Sequence, residues 1–472
     1  MTLAVGVPLI GSLLLPLAGA ASARLRNGLA LAFVLVPLAC TIGLAPAAVA
    51  GTTTALKVSG PLGFDFILKA DTLAVLMAFV SSLVGAIIVL YSFDYISHYG
   101  NQNEYYLMAV LFIGAMMGLV FSANLIFLFV FWEITGIASW RLIGFYRKPA
   151  DVLRADKAFL VTTFGALVML IAIIAIDGTF GSFDLDAMTG SALPAGLAVL
   201  LLVGILSKSA TLPFHTWLPD AGVAPSPVTA LLHAAVLVKI GVYVYARLFL
   251  VVFSTPEAVR TAVMVVAAAS ALVSAGAALV ENDLKRIIAF STVSQIGFIF
   301  LGLASGTAMG AAGALLYILA HGLAKGGLFL TAGIVEQNAG SKDIRQLGGI
   351  IRTMPVTAIS FLLCAFSIMG IPPFGGFFSK FMVVSGAVGS GQIALAAVFM
   401  GGAVLTILYL SRLFLRVFTG EPRAGRLAPE RSPAMVACVV TLAVLSLASG
   451  LAVGLLSGTL NSAVAQMAMV GK

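Results

Sequence analysis

Charge is what this chain lacks most. Asp, Glu, Lys and Arg make up 9% of its 472 residues, against about 25% in a soluble domain. Apolar residues make up 61%, and mean hydropathy is +1.12. This balance excludes a water-soluble globular fold, because lipid must solvate most of the surface. Cysteine and histidine are also scarce, at 3 and 4 residues. Cys40, Cys364 and Cys438 lie far apart in apolar runs, and no spacing suits a metal or an iron–sulfur cluster. The chain is therefore expected to hold no cofactor, no metal and no redox centre of its own. A phosphate-binding loop, a dinucleotide fingerprint between strand and helix, and a nucleophile elbow are missing too, so no active site is legible. The net charge of +8 does not mark a nucleic-acid binder. The basic residues sit in short loops on alternate sides of apolar segments, which is the pattern of membrane orientation.

What the chain does have is long apolar runs and abundant glycine, 49 residues, suited to close helix packing in a bilayer. A span needs roughly 20 apolar residues, and about fourteen segments qualify. They cover 3–21, 28–50, 72–93, 106–122, 124–145, 158–177, 193–212, 226–250, 259–280, 287–304, 308–334, 354–371, 391–412 and 433–457, with 374–390 continuing the twelfth after a break. The first run has no basic residue before it, so it reads as a retained helix and not a secretory signal. Loops after odd-numbered helices carry Arg24 and Arg26, then Arg147, Lys148, Arg154 and Lys157, then Lys285 and Arg286, then Lys342, Arg345 and Arg352, then Arg416, Arg423, Arg426 and Arg431. Loops after even-numbered helices carry little beyond Lys57 and Lys69. The positive-inside rule then places odd loops in the cytoplasm and both termini outside a bacterial-type inner membrane.

Two helices read as broken. One contains Lys208-Ser-Ala-Thr-Leu-Pro213-Phe-His215-Thr-Trp-Leu-Pro219, the other Gly370-Ile-Pro372-Pro373-Phe-Gly375-Gly376-Phe-Phe-Ser-Lys380. Pro removes a backbone donor and Gly adds freedom, and unsatisfied backbone survives in a membrane only where protein or a wet cavity serves it. Each break sits beside a lysine. A matched break in two halves is the mark of inverted repeats, here helices four to eight and nine to thirteen. The expected organisation is helices 1–3 over 1–105, a first repeat over 106–252, a second over 253–420, and a last helix over 421–472.

The chemistry lies in the few charges inside apolar spans, each costing about 2.5–3.5 kcal/mol at a helix centre and functional by default. Glu133 is mid-span and needs a cation or a proton. Lys208 stands at the first break. Burial favours the neutral amine and a nearby carboxylate favours the ammonium, so a Glu133–Lys208 pair can work as a switch. Lys239 is too deep to snorkel. His233 lies six residues before it, about 240° round the helix, and is either a relay or a satisfied polar contact. His321 and Lys325 are spaced i, i+4 on one face. Lys380 follows the second break, where a path would end. Asp220 and His215 after the seventh span, and Lys285 at the start of the tenth, are candidate uptake groups, with a plain interfacial anchor as the other reading of Lys285. Arg141 reads as an interface anchor.

Several stretches resemble one family closely: Phe131-Trp-Glu133-Ile-Thr-Gly, Lys208 to Asp220, Ala224-Pro-Ser-Pro-Val-Thr-Ala-Leu-Leu-His233, Leu237-Val-Lys239, Asp283-Leu-Lys285 to Gln295, His321-Gly-Leu-Ala-Lys325 and Phe374 to Lys380. The family is the antiporter-like subunits of respiratory complex I, Mrp cation/proton antiporters and group 4 membrane-bound hydrogenases, and the resemblance covers about residues 65–420. It implies an all-α polytopic fold of fourteen helices, two inverted five-helix repeats, and broken helices 7 and 12. It implies that Glu133 pairs with Lys208, and that Lys239, His321, Lys325 and Lys380 continue a hydrated polar axis across the membrane. It implies partners: other integral membrane subunits, with a peripheral redox or soluble module. Two positions depart from the pattern. Tyr317 stands where several relatives carry a second histidine, and Arg141 where an apolar residue is usual. The sequence after the fourteenth span leaves no room for the long lateral helix of some relatives.

The leading expectation is a proton-translocating subunit of a larger redox-driven or ion-exchange complex. Alternatives are an Mrp-type Na+/H+ antiporter subunit, an ion-driven subunit of an inorganic-carbon uptake complex, a quinone- or cofactor-binding subunit, and a scaffold whose charges are silent.

Overall fold

Long apolar runs leave the backbone no partner but itself, so they fold as helices. The computed structural model describes residues 1–61, 64–422, 429–430 and 432–467; Arg423, Arg426 and Arg431 lie outside the described residues. The helices α1 (Thr2–Ala21) and α2 (Ala23–Val49) precede a hairpin of β1 (Thr54–Val58) and β2 (Phe66–Ala70), antiparallel with Leu56 opposite Leu68. Then come α3 (Thr72–Tyr95), α4 (Gln102–Phe121), α5 (Leu125–Ile143), α6 (Pro149–Phe180), α7 (Ala195–Lys208) and α8 (Ser226–Val252). They are followed by α9 (Glu257–Val280), α10 (Leu284–Ala304), α11 (Ala308–Ala339), α12 (Pro355–Met369), α13 (Gly375–Gly389), α14 (Ile393–Phe418), α15 (Pro433–Leu451) and α16 (Val453–Ala465).

Twelve of the described helices are long and apolar enough to cross a membrane. The two expected broken spans give shorter helices: α7 ends at Lys208 and α12 at Met369, with a turn Trp217–Asp220 after the first and α13 after the second. The last expected span, 433–457, is divided at Ala452 into α15 and α16. The sixth is longer than its apolar run, because Pro149 opens the helix early and Gly181, at φ 68°, closes it late. The sequence reading assigns no strand to residues 51–71, where two five-residue strands are too short to stand out by alternation.

Side-chain caps set several other helix starts. Asp71 receives the Ala74 amide at 2.9 Å, Asn124 that of Ile126 at 2.9 Å, Asp283 that of Lys285 at 2.9 Å and Thr307 that of Gly310 at 3.1 Å. The centre of the bundle is α11, buried from Gly310 to Val335 and packed against α8, α10, α12, α13 and α15. At the periphery α1 and α6 turn Leu13, Leu17, Leu160 and Ile171 outward, as a lipid-facing helix does.

The loop charges sort onto two faces. On one, Arg26 meets Asn103, Arg141 and Arg147 meet Glu104, and Lys342 meets Asp283. On the other, Lys57 meets Asp65 and Lys69 meets Asp186. Near this second face a buried bidentate pair ties three helices together. Arg247 of α8 holds Asp71 at 2.5 and 2.8 Å, and Tyr243 joins Arg247 to the Val120 carbonyl of α4.

Two glycines are demanded by the second break. A Cβ at Gly376 would overlap the Ser367 carbonyl oxygen, and one at Gly450 that of Pro373. Gly376→Ala and Gly450→Ala should each cost about 1–3 kcal/mol through overpacking, read as a lower unfolding midpoint in detergent, whereas Gly454→Ala, with nothing within 4 Å, should leave the midpoint unchanged. Arg247→Leu should strand the Asp71 carboxylate and cost about 3–5 kcal/mol, and adding Asp71→Leu should recover much of that loss in the same assay.

Candidate functional site

A buried ammonium needs acceptors, and the structure gives every buried lysine a main-chain carbonyl. Lys208, at the last turn of α7, donates to Trp132 of α5 at 3.1 Å and stands 5.3 Å from the centre of the Trp132 ring. Lys239 of α8 donates to Ala234. Lys285 donates to Ala224 at 2.9 Å, Lys325 to Ile288 at 3.0 Å and Lys380 to Ile368 at 2.6 Å. Among the described residues Lys285 is the one of these five with a carboxylate partner, Glu336, at 2.9 Å.

The local fold supplies several of these carbonyls. In α8 the segment Leu231–Ala235 is a π turn, a feature concentrated at functional sites. It releases the Ala234 and Ala235 carbonyls, which accept from Lys239 and, at 2.9 Å, from the Ser81 hydroxyl. His233 lies inside this turn, its ring 4.4 Å from that of Phe329. The Ile368 carbonyl is freed by the end of α12, where Gly370 takes φ 80° before Pro372 and Pro373. At the first break Leu212 donates its amide to the Ser270 hydroxyl at 3.0 Å, and Trp217 donates its indole N–H to the Ser207 carbonyl at 3.0 Å. Pro213 and Pro219 flank that repair.

The geometry departs from the implied Glu133–Lys208 pair. Glu133 is half-buried on α5, and Lys208 bonds the carbonyl of the residue before it with no direct ion pair. Lys208 is nonetheless the cation whose field reaches Glu133.

Farther along, side chains join Lys325 toward Lys380. Lys325 donates to the Ser291 hydroxyl at 2.7 Å, which also accepts from Tyr409 at 2.7 Å. Gln295 donates to Thr406 at 3.1 Å and reaches the Tyr409 hydroxyl at 3.4 Å, and its carbonyl oxygen accepts from Tyr317 at 2.5 Å. The Lys380 ammonium is 5.8 Å from the Tyr317 ring centre and 4.7 Å from that of Phe298. Tyr317, a departure from the family pattern, is thus a member of this chain of contacts. His321 lies beside it with ring centres 5.9 Å apart, and neither imidazole nitrogen of His321 or His233 has a partner among the described residues.

On the face bearing Arg26 and Lys342, a cleft of about 600 Å³ is lined by Glu281, Asp283, Glu336, Lys342 and Asp343. Lys285 lies at its buried side through the Glu336 contact. Asp220 is bound by Lys157 at 2.7 Å and Arg286 at 2.6 Å. Burial pushes its carboxyl up, but the hydrogen bonds from Lys157 and Arg286 prevail and hold it below the usual carboxylate range. Burial pushes the His215 imidazole down. Arg141 pairs with Glu104 at 2.6 Å, so it is more than a lipid anchor.

Sequence reasoning singled out none of Ser291, Gln295, Thr406, Tyr409 and Glu336. Glu336 had a signal: it lies eleven residues after Lys325, three helical turns on, which puts it on the same stripe. The uncharged residues had none, since polar side chains are common in tightly packed membrane helices. Among the described residues no cluster of three or more His, Cys, Asp or Glu is placed to hold a metal.

Known proteins resemble this chain over most of its length. The family described as "NADH:quinone oxidoreductase/Mrp antiporter, TM" matches residues 122–406, and "NADH-Ubiquinone oxidoreductase (complex I), chain 5 N-terminus" matches 56–106. A Na(+)/H(+) antiporter subunit of Alkalihalophilus pseudofirmus is 36% identical over 76% of this chain and 49% of its own length. The NADH-quinone oxidoreductase subunit L of Mycobacterium tuberculosis is 37% identical over 85% of this chain and 65% of its own length. The chain therefore spans about half to two thirds of these curated relatives. A chain of the Mrp complex from Dietzia superposes with a TM-score of 0.91 at 26% identity, covering 99% of this chain and 97% of that one. A chain of respiratory complex I from Thermus thermophilus gives 0.88 at 24% identity with full coverage of both, a likeness of fold alone. With the family's profile matched across most of the helices that carry the buried lysines, this chain belongs to the NADH:quinone oxidoreductase/Mrp antiporter transmembrane family.

Proposed function

We propose that this chain is a proton-translocating, antiporter-like subunit of a multisubunit membrane complex. The observation that carries this reading is a set of buried lysines held by neutral carbonyls, with Lys325 continued by Ser291, Tyr409, Gln295 and Tyr317 toward Lys380. A carbonyl satisfies an ammonium hydrogen without adding a fixed negative charge. The amine can therefore lose its proton without leaving a bare carboxylate behind.

In this scheme a proton is taken up at the Glu336–Lys285 cleft, on the face we assign to the cytoplasm. Asp220, held by two cations, serves to hold the loops, with His215 beside it. The proton is stored on Lys239 or Lys208, passes His233, His321 and Lys325, and leaves past Lys380. Glu133 and Lys208 form the gate: drawing the carboxylate toward Lys208 holds its proton, and drawing it away releases it. Moving one charge against 100 mV costs about 2.3 kcal/mol, or about two pKa units, and a salt bridge closing in low dielectric is of that order. The scheme implies fourteen passes with the broken helices crossing as α7 and α12–α13, inverted repeats over 106–252 and 253–420, and both termini outside. It also implies other integral membrane subunits as partners.

A second reading is Mrp-type Na+/H+ exchange, favoured by the likeness to the Na(+)/H(+) antiporter of Alkalihalophilus pseudofirmus. The two separate in proteoliposomes of the purified complex: proton movement that persists without sodium supports the first, and an absolute sodium requirement supports the second. Lys208→Ala and Glu133→Ala should each abolish coupled pumping in inverted vesicles while the complex still assembles; intact pumping in both would sink the gate. Tyr409→Phe, which removes the hydroxyl that donates to Ser291 and accepts from Gln295, each bond worth about 0.5–1.5 kcal/mol, should slow proton transfer by about fivefold or more with assembly unchanged, and an unchanged rate would remove Tyr409 from the path.

A further inference from the structure

Lys380 has a second environment besides the polar chain. A cavity of about 580 Å³ lies between α13 and α14 and is lined by Phe298, Phe377, Lys380, Phe381, Val384 and Ala403, among others. Its walls are apolar. Phe381 is 61% exposed and Val404, also on the wall, 55%, so the cavity opens sideways toward lipid. Along α13 it extends from Phe377 to Gly389, about 18 Å at the helical rise.

At the inner end stands one cation. The Lys380 ammonium lies 4.7 Å from the centre of Phe298, itself a wall residue, and its hydrogen bond goes to the Ile368 carbonyl at 2.6 Å. An ammonium has three donors, so two remain for a ligand. Lys380 has no carboxylate within ion-pair distance among the described residues.

We propose that this cavity binds a long-chain monocarboxylate, with the carboxylate on Lys380 and the alkyl chain along the α13–α14 groove. The chemistry favours one charged oxygen pair and one tail. The lining residues offer no second cation, and Ser385 is the one hydroxyl among them, too little for a phospholipid headgroup, whose phosphate belongs at the membrane surface. A fatty acid crosses lipid as the neutral acid and can approach a cation at depth. The site goes beyond the transport reading, and its readout is binding, so each can fail without the other.

The test is photolabelling of the intact complex in native membranes with a diazirine-bearing myristic acid and with the matching alcohol. The acid should label peptides of α13 and α14, and should exceed the alcohol by about tenfold, the worth of a charge-assisted hydrogen bond. Lys380→Gln should abolish that preference, and Ala403→Trp should block labelling by both probes. Equal labelling by acid and alcohol would overturn the carboxylate site and leave a plain apolar groove. Labelling that maps elsewhere, that ignores Ala403→Trp, or that occurs in the isolated chain but not in the complex would equally overturn it, the last because another subunit fills the groove.

Discussion

The cost of an ammonium away from water governs this structure. Lys208, Lys239, Lys285, Lys325 and Lys380 are all buried, and each donates to a main-chain carbonyl: Trp132, Ala234, Ala224, Ile288 and Ile368. Breaking a buried ion pair strands a charge and costs several kcal/mol. A carbonyl is a dipole that tolerates both the charged and the neutral amine. Under the proposed transport role, carbonyls serve better than carboxylates, and Glu336 at Lys285 is the exception, placed beside the open cleft.

Regular helices have few carbonyls to spare, and three of the five acceptors lie where a helix is irregular or interrupted. The π turn in α8 releases Ala234, the end of α12 releases Ile368, and Ala224 lies in the loop before α8. Breaks are tolerated only because neighbours repair them. Ser270 and Trp217 do so at the first. At the second, the bare backbone of Gly376 and Gly450 lets the chain segments close up. Of the two lysines that mark the breaks, Lys380 also binds a carbonyl that its break frees, that of Ile368.

The two halves differ in how their cations are joined. Between Lys325 and Lys380 the contacts run through hydroxyls and an amide drawn from α10, α11 and α14. Around Lys208 and Lys239 the contacts are to backbone, and the nearest compensating field for Lys208 is that of Glu133, beyond direct ion-pair reach. Under the proposed role a loosely held carboxylate suits a gate, and a row of hydroxyls and one amide running from Lys325 to Tyr317 suits a conduit.

Much of this was legible in the sequence. Helix positions follow from the length of apolar runs, since lipid forbids unpaired backbone; observed ends such as Thr72, Ser226, Glu257, Ala308 and Pro433 fall within two residues of the runs. The in-span charges Glu133, Lys208, Lys239, Lys325 and Lys380 stand out because each is costly in an apolar run, and Pro announced both breaks, joined by Gly at the second. The tertiary structure alone decided what each charge touches. Ser291 and Tyr409 are 118 positions apart and Lys208 and Trp132 76 apart, and pairing over such distances leaves no local pattern. Uncharged residues such as Tyr409 and Gln295 carry little cost wherever they sit, so nothing in one sequence distinguishes a member of the path from a packing contact. The π turn Leu231–Ala235 of α8 was hidden for the same reason: its apolar residues suit a regular helix equally well, and only the folded chain brings Lys239 and Ser81 to its freed carbonyls.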